Sequence, residues 1–208
     1  MGLEQQLERG VADLGLAISQ SDRAKLIAYL GLLQKWNRVY NLTAIREQAR
    51  LVSYHLLDSL AVVPHLSSGS IVDVGSGAGL PGIPLAIARP QWELILLESN
   101  HKKGTFLKQA VIELGLPNVT VCVERSENWH PVKRVDIAIS RAFSDLAGFV
   151  DAVRHAIQPG GAFAAMKGVY PDEEIEQLPS DVKLESVIRL QVPGLRGSRH
   201  LVMLRAAQ

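Results

Sequence analysis

The sequence predicts an α/β fold in which a mostly parallel sheet follows a helical N-terminal segment. Up to about residue 65, apolar residues recur at helical spacing. After residue 70, short β-rich runs alternate with helical ones, as in βαβ units whose strands form a parallel sheet. The first of these runs leads into a turn that contains four glycines. Together the three observations indicate a ligand-binding α/β domain behind a helical extension.

The composition is that of an ordinary globular chain. Its 208 residues are 47% hydrophobic and carry a formal net charge of +1, which is enough to bury one substantial core. No run approaches the roughly 20 apolar residues of a membrane span, and the N-terminus lacks a signal-peptide pattern. We therefore expect a cytoplasmic protein that does not bind membranes. The single Cys122 lies in an apolar alternating run and is predicted to be a buried small hydrophobic residue, so neither an internal disulfide nor a metal site is expected.

Three helices are predicted in the N-terminal segment. Ser21 and Asp22 can cap a helix whose apolar residues recur up to about Tyr40. Further helices are predicted over residues 3–17 and 47–63. The change of pattern after them divides the chain into a helical extension, residues 1–65, and an α/β domain, residues 66–208.

Seven strands are predicted in the second segment. The parallel strands cover residues 71–74, 93–98, 119–123, 135–139 and 161–166, and the helices between them lie near 82–88, 102–114 and 146–157. The runs 182–192 and 199–205 flank Pro193, Gly194 and Gly197. Such turn residues between two strands predict an antiparallel hairpin that closes the sheet.

The glycine turn is typical of nucleotide-binding sites. Gly75, Gly77 and Gly79 form G-x-G-x-G, whereas Gly77, Gly79 and Gly82 form the G-x-G-x-x-G of dinucleotide binders. Glycine allows positive φ and lets a ligand lie against bare backbone amides. The turn alone therefore fits either S-adenosylmethionine or NAD.

The surroundings of the turn favour S-adenosylmethionine. Asp73 precedes the first glycine closely enough to meet an ammonium group, whereas the pyrophosphate of NAD favours a helix N-terminus free of acid. Glu98 ends the second predicted strand and can accept hydrogen bonds from ribose hydroxyls in either cofactor; the alternative is a surface acid at a strand end. The Tyr-x-x-x-Lys pair of short-chain dehydrogenases is absent, and the chain is too short for a separate substrate domain. A nicotinamide oxidoreductase remains the less favoured alternative.

Several short motifs resemble one known family. They are Asn41-Leu42-Thr43, His55-x-x-Asp58-Ser59, Asp73 through Pro84, Leu97-Glu98-Ser99 with Lys102-Lys103, Ser140-Arg141-Ala142-Phe143, and Lys167-Gly168. Over roughly residues 22–205 the chain resembles the bacterial small-subunit ribosomal RNA guanine-N7 methyltransferases, once called glucose-inhibited division protein B. The resemblance implies a class I, Rossmann-like S-adenosylmethionine-dependent methyltransferase that modifies one guanine of 16S rRNA near the decoding region. The chain departs from the family at Leu80, where many members carry Phe, and at Ser126, where Ala or Val is usual.

The resemblance also implies residues that bind the cofactor. It places Gly75 and Leu80 against the cofactor, Ser126 and Glu127 beside its adenine, and Arg141 at the pocket after the fourth strand. With the residues of the glycine turn, the predicted site comprises Gly75, Gly77, Gly79, Leu80, Glu98, Ser126, Glu127 and Arg141. Alternative roles remain: Ser126 and Glu127 can cap a helix, and Arg141 can form a structural ion pair. No catalytic acid or base is predicted, since guanine N7 carries a lone pair and no proton.

The partner implied by the resemblance is 16S rRNA or the small ribosomal subunit, and we expect a monomer. Candidate RNA contacts are Lys25, Lys35, Arg38, Arg46, Arg50, Lys102, Lys103, Lys108, Arg196, Arg199 and His200.

His55 and Asp58 are interpreted as tying the extension to the main domain, Lys167 as a surface lysine, and residues 172–176 as the start of a solvated helix. A methyltransferase with another substrate and a non-enzymatic assembly factor are the alternative functions.

Overall fold

The structure, a computed structural model, describes residues 2–141 and 143–206. Its sheet has seven strands in the order β3-β2-β1-β4-β5-β7-β6. The strands are β1 (Ser70–Val74), β2 (Glu93–Leu97), β3 (Val119–Cys122), β4 (Val135–Arg141), β5 (Ile157–Lys167), β6 (Val182–Arg189) and β7 (His200–Ala206). The first five strands are parallel, and β7 pairs antiparallel with both β5 and β6. This confirms the predicted sheet and its C-terminal hairpin. Ala142, within the Ser140–Phe143 motif, lies outside the described residues.

Eight α-helices connect or precede the strands in the described ranges. They are α1 (Leu3–Asp13), α2 (Gln20–Tyr40), α3 (Gln48–Leu51), α4 (Asp58–Leu60), α5 (Gly82–Ala88), α6 (His101–Leu114), α7 (Leu146–Val153) and α8 (Asp172–Glu176). Helix α2 begins two to three residues earlier than predicted, because Ser19, not Ser21 or Asp22, is its cap and accepts a hydrogen bond from the Asp22 N–H at 3.1 Å. None of these helices is long and apolar enough to cross a bilayer.

The third predicted helix, residues 47–63, is not a uniform α-helix. Between α3 and α4 the backbone forms a π-helical segment, Val52–Leu57, and a short 3₁₀ turn, Val63–His65, follows α4. π-helical turns are rare and frequently occur at functional sites. Here the segment carries Tyr54 and His55, which line a cavity beside the carboxyl ends of the strands.

Two apolar clusters form the core. One contains Leu26 and Leu30 of α2 together with Ile71 of β1 and Phe106 of α6, and the other contains Val72 of β1 with the α7 side chains. Successive residues of β1 belong to different clusters because strand side chains alternate between the two faces of a sheet. The N-terminal helices and one face of the sheet therefore share the first cluster, and the division at residues 65 and 66 remains a prediction from the sequence.

Candidate active site

The carboxyl ends of β1, β2, β4 and β5 meet at one edge of the sheet. The strand order reverses at β1, which pairs with β2 on one side and with β4 on the other. Ligands of open α/β sheets bind in the crevice at such a switch point, outside the carboxyl ends of the strands. The glycine turn follows β1, so it lies at this position.

Gly75 and Gly77 form the open part of the turn. The N–H groups of Gly75 and Ser76 donate to the Leu97 carbonyl at 2.8 and 3.1 Å, which fixes the turn to the end of β2. Both glycines have positive φ, 69° for Gly75 and 58° for Gly77. A Cβ at Gly75 would meet no atom within 4 Å, and one at Gly77 only the Gly75 carbonyl oxygen at 3.7 Å. The space above both residues is thus available to a ligand.

Gly79 and Leu80 lie beneath the turn. A Cβ at Gly79 would approach Ile83 Cδ1 to 2.5 Å and Leu107 Cδ2 to 3.1 Å, so its missing side chain makes room for the core. Leu80 is buried in the same cluster and precedes a cis peptide bond to Pro81. The structure gives both residues a packing role, and their contact with a cofactor remains a prediction.

Glu98 is buried and connects the turn to the chain after β2. One carboxylate oxygen accepts from the Gly77 N–H and the other from the Asn100 N–H, both at 2.8 Å. Its residual exposure is 6%, so the alternative of a surface acid is wrong. Each carboxylate oxygen can accept a further hydrogen bond. Glu98 can therefore also accept hydrogen bonds from ribose hydroxyls, and this contact remains a prediction.

Asp73 is fully buried at the end of β1. Its Oδ2 accepts from the Gly82 N–H at 2.9 Å, while its Oδ1 makes no hydrogen bond with the described residues. Burial raises the pKa of Asp73 to about 7. A buried carboxylate oxygen without a donor is unfavourable, so the site fits an ammonium group such as that of S-adenosylmethionine.

Tyr29 of α2 supports the turn from below, a role that the sequence did not predict. Its hydroxyl donates to the Ala78 carbonyl at 2.6 Å in a fully buried position. Burial raises the pKa of Tyr29 far above its ordinary value. A tyrosine on the apolar face of a helix looks like a core residue, and only the proximity of α2 to the turn reveals its polar partner.

Ser126 and Glu127 follow β3 in a short 3₁₀ helix, Ser126–Asn128. The Ser126 hydroxyl donates to Glu127 Oε2 at 3.3 Å. The cap position of this helix is Arg125, and it makes no side-chain capping bond, so the capping alternative is not what the structure shows. Contact with adenine remains a prediction for both residues.

Arg141 ends β4 and forms the ion pair that was its alternative interpretation. Its Nη1 lies 3.3 Å from Asp58 Oδ2, and Arg199 Nε lies 2.9 Å from Asp58 Oδ1. The Asp58 side chain is 3% exposed, whereas those of Arg141 and Arg199 are 26% and 24% exposed. Asp58 therefore ties α4 to β4 and to the residue before β7, as expected.

Among the described residues, His55 makes no hydrogen bond to the main domain, contrary to the prediction that it ties the two together. Its Nε2 lies 3.1 Å from Thr43 Oγ1 and its Nδ1 lies 3.1 Å from the Tyr54 carbonyl, both within the N-terminal segment. Burial and the positive charge of Arg141 lower the pKa of His55 to about 4. The imidazole is thus neutral at pH 7, with both nitrogens engaged.

A cavity of about 340 Å³ opens at the carboxyl ends of β4 and β5, and we call it the inner cavity. Its polar lining includes Thr43, His55, Asp58, Arg141, Lys167 and Arg199. Lys167 is not the surface lysine predicted: its side chain is 11% exposed and its Nζ lies 2.7 Å from Glu174 Oε2. The same pair makes Glu174 part of the packed structure rather than of a fully solvated helix. Cationic groups outnumber carboxylates in this lining, so the cavity suits an electron-rich or anionic ligand.

Some of the side chains predicted to contact RNA are exposed, and others form contacts within the protein. Exposed members include Lys35, Arg38 and Lys102. Arg199 is paired with Asp58, and His200 is 8% exposed with its ring 5.6 Å from that of Tyr170. His200 is therefore buried at the start of β7 and is not an exposed candidate for RNA contact. Cys122 is only half-buried, not fully buried as expected.

Comparison with known proteins supports one family and one fold. The sequence profile of the GidB family, described as rRNA small subunit methyltransferase G, matches residues 22–202. The ribosomal RNA small subunit methyltransferase G of Laribacter hongkongensis is 58% identical over 98% of this chain and 99% of its own length. The protein of that name from Nitrosospira multiformis is 54% identical over 97% of each. Among solved structures, glycopeptide N-methyltransferase MtfA complexed with S-adenosyl-L-methionine has a TM-score of 0.64 at 13% identity, over 74% of this chain and 88% of its own; it shows similarity of fold alone.

Proposed function

Because the chain belongs to the rRNA small subunit methyltransferase G family, we propose that it transfers a methyl group from S-adenosylmethionine to N7 of one guanine in 16S rRNA. The modified guanine lies near the decoding region of the small ribosomal subunit. The observation that carries the proposal is the family match over residues 22–202. The open glycine turn and the cationic cavity beside it are consistent with this reaction.

The residues around the turn fit S-adenosylmethionine. Asp73 offers a buried, unpaired carboxylate oxygen for its ammonium group, and Gly75 leaves open space beside the backbone. Glu98 would accept from the ribose hydroxyls, and Ser126 and Glu127 would meet the adenine. When bound, S-adenosylmethionine supplies a methyl group that its sulfonium centre has already activated.

We place the target guanine in the inner cavity. Arg141, Lys167 and Arg199 line it, and arginine and lysine are the usual donors to guanine O6 and N7. A donor that engages O6 orients the base and leaves the N7 lone pair free. Attack from N7 releases no proton, so the chain needs to position the base rather than deprotonate it. Neutral His55, whose two nitrogens are engaged, is not assigned a proton-transfer role.

The substrate is 16S rRNA, free or within the small ribosomal subunit, and the chain acts as a monomer in the cytoplasm without a metal. These statements rest on the family and on the composition of the chain.

The decisive experiment is methyl transfer to small ribosomal subunits from cells that lack this gene. Labelled S-adenosylmethionine is supplied, and the modified nucleoside is identified by mass spectrometry. We expect N7-methylguanosine in a single 16S rRNA fragment. Tight binding of S-adenosylmethionine without label on any ribosomal substrate would contradict the assignment, and label on a different RNA or on protein would favour a related methyltransferase.

A further inference from the structure

A second cavity, which we call the outer cavity, adjoins the inner one. It has a volume of about 450 Å³ and is lined by Glu47, Arg50, Tyr54, Gly194 and Arg196. Tyr54 lines both cavities. The outer cavity therefore lies next to the proposed guanine site, with Tyr54 between them.

Tyr54 is held between the two cavities by contacts from both sides. Its backbone carbonyl accepts from Arg141 Nη1 at 3.2 Å, on the side of the inner cavity. Its hydroxyl donates to the Arg196 carbonyl at 3.5 Å, and the Arg50 guanidinium lies 4.3 Å from the ring centroid. The Tyr54 ring and the Arg50 guanidinium thus form a stacked pair at the boundary.

The loop that carries Arg196 is packed closely against the π-helical segment. A Cβ at Gly194 would lie 2.5 Å from Ser53 Oγ, and Gly194 has a φ of 72°. Only glycine permits both this approach and this backbone conformation without strain. The loop backbone is therefore held at the rim of the outer cavity.

The charges of the outer cavity suit a nucleic acid. Arg50 lies 3.7 Å from Glu47, and the two side chains are 45% and 73% exposed. The Arg196 side chain is exposed, and within residues 2–141 and 143–206 its guanidinium has no hydrogen bond or ion pair. A guanidinium whose backbone is fixed and whose donors are free is well suited to a phosphate group.

We propose that the outer cavity binds the nucleotide next to the methylated guanine in a single-stranded stretch of the RNA. Its base lies against the Arg50–Tyr54 pair and its phosphate contacts Arg196. Aromatic and guanidinium faces stack unpaired bases with little regard to sequence. The inference rests on the proposed function and names a further part of the same RNA site.

Steady-state methylation of small ribosomal subunits from cells lacking the gene tests the proposal. The variants are Arg196→Ala, Tyr54→Ala and Tyr54→Phe, with Lys183→Ala as control. Lys183 is an exposed cation on β6. It pairs with Arg205 of β7, which in turn pairs with Ala162 of β5. Lys183 therefore lies at the end of the sheet opposite to the two cavities. We expect the KM for subunits to rise roughly tenfold in Tyr54→Ala and Arg196→Ala, given the strength of stacking and phosphate contacts. The KM for S-adenosylmethionine stays unchanged, and Lys183→Ala resembles wild type. Tyr54→Phe keeps the aromatic ring but loses the bond to the Arg196 carbonyl, so its KM for subunits rises less than that of Tyr54→Ala.

Salt dependence separates the phosphate contact from the stacked base. In Arg196→Ala, the slope of log affinity against log salt decreases in magnitude by about 0.7–0.9, the value of one lost phosphate contact, whereas in Tyr54→Ala it stays unchanged. Unchanged KM and slope in Arg196→Ala, with wild-type protein active, would overturn the proposal. Because Arg196 is exposed, that variant remains informative even if Tyr54→Ala unfolds. A wild-type protein that labels no ribosomal RNA would instead overturn the proposed function, and the inference with it.

Discussion

The glycine turn and the inner cavity lie at the same edge of the sheet but are built in different ways. The turn is one contiguous segment whose shape follows from the backbone of Gly75 and Gly77 and their positive φ. The cavity takes its charged groups from distant segments, since Asp58 meets Arg141 and Arg199 across 83 and 141 residues of sequence. A change in the turn should therefore act locally, whereas a change at Asp58 should affect three elements at once.

Asp58→Asn should have the largest effect on stability. Removal of one partner from a buried ion pair costs about 3–5 kcal/mol, and we expect about 3 kcal/mol because Arg141 and Arg199 are each about a quarter exposed. Urea unfolding measures the loss. Asp181→Asn is the control: Asp181 pairs with Arg154 at the surface, so its loss should cost at most about 1 kcal/mol. Equal losses in the two variants would contradict a central role for Asp58.

Two glycine substitutions test whether the turn has separate open and packed parts. In Gly82→Ala the new Cβ would lie 2.2 Å from Leu96 Cδ2 and 2.8 Å from Asp73 Oδ2, so we expect a loss of about 2 kcal/mol from overpacking. In Gly75→Ala the space is open but φ is 69°, and about 1 kcal/mol is expected. Thermal unfolding and the Kd for S-adenosylmethionine are measured together. Although Gly75→Ala should have only a small effect on stability, it should raise the Kd for S-adenosylmethionine, because the new Cβ occupies the open space in which the ligand lies.

Tyr29→Phe tests the support of the turn by α2. The variant leaves the Ala78 carbonyl buried without its 2.6 Å donor, which costs about 1–2 kcal/mol. Calorimetric titration should show weaker binding of S-adenosylmethionine, while the KM for ribosomal subunits stays constant. Tyr40→Phe is the matched control, because no hydroxyl bond of Tyr40 occurs within the described part of the chain. Unaltered cofactor affinity in Tyr29→Phe would show that α2 does not support the turn.

The raised pKa of Asp73 predicts a pH dependence. Burial raises the pKa of Asp73 to about 7. This group therefore favours the folded state at low pH, and its contribution is lost as the pH rises towards 7. Binding of an ammonium group needs the ionised carboxylate, so affinity for S-adenosylmethionine should increase about tenfold from pH 6 to 8. Asp73→Asn should remove that dependence; an unchanged profile in the variant would assign the titration to another group.

The smallest expected effect is that of pH on the chemical step itself. At saturating S-adenosylmethionine, the single-turnover rate should be nearly flat across the neutral range, because guanine N7 needs no general base. Rapid quench with labelled cofactor measures this rate. A steep bell-shaped profile would indicate a proton-transfer residue and would contradict catalysis by positioning.

The chain's local patterns predicted the fold and the glycine turn. Alternation of strand and helix periods gave the parallel sheet, and Pro193 and Gly194 marked the terminal hairpin. Boundaries were less accurate where pairing overrides local preference. Strand β5 was predicted to begin at residue 161 but begins at Ile157, the last residue of the predicted helix, because Ile157 pairs with Val135. No local sequence pattern predicted the π-helical segment.

Local sequence was enough to predict the order of the elements, the position of the glycine turn and the acidic residue Glu98 at the end of β2, because these depend on neighbouring residues and backbone conformation. Only the packing of distant segments places Tyr29 under the turn, Asp58 between Arg141 and Arg199, and Lys167 against Glu174. The reason is physical: the environment of a side chain is set by groups brought close in space. Burial, ion pairing and pKa therefore follow from the folded chain and not from the residue type.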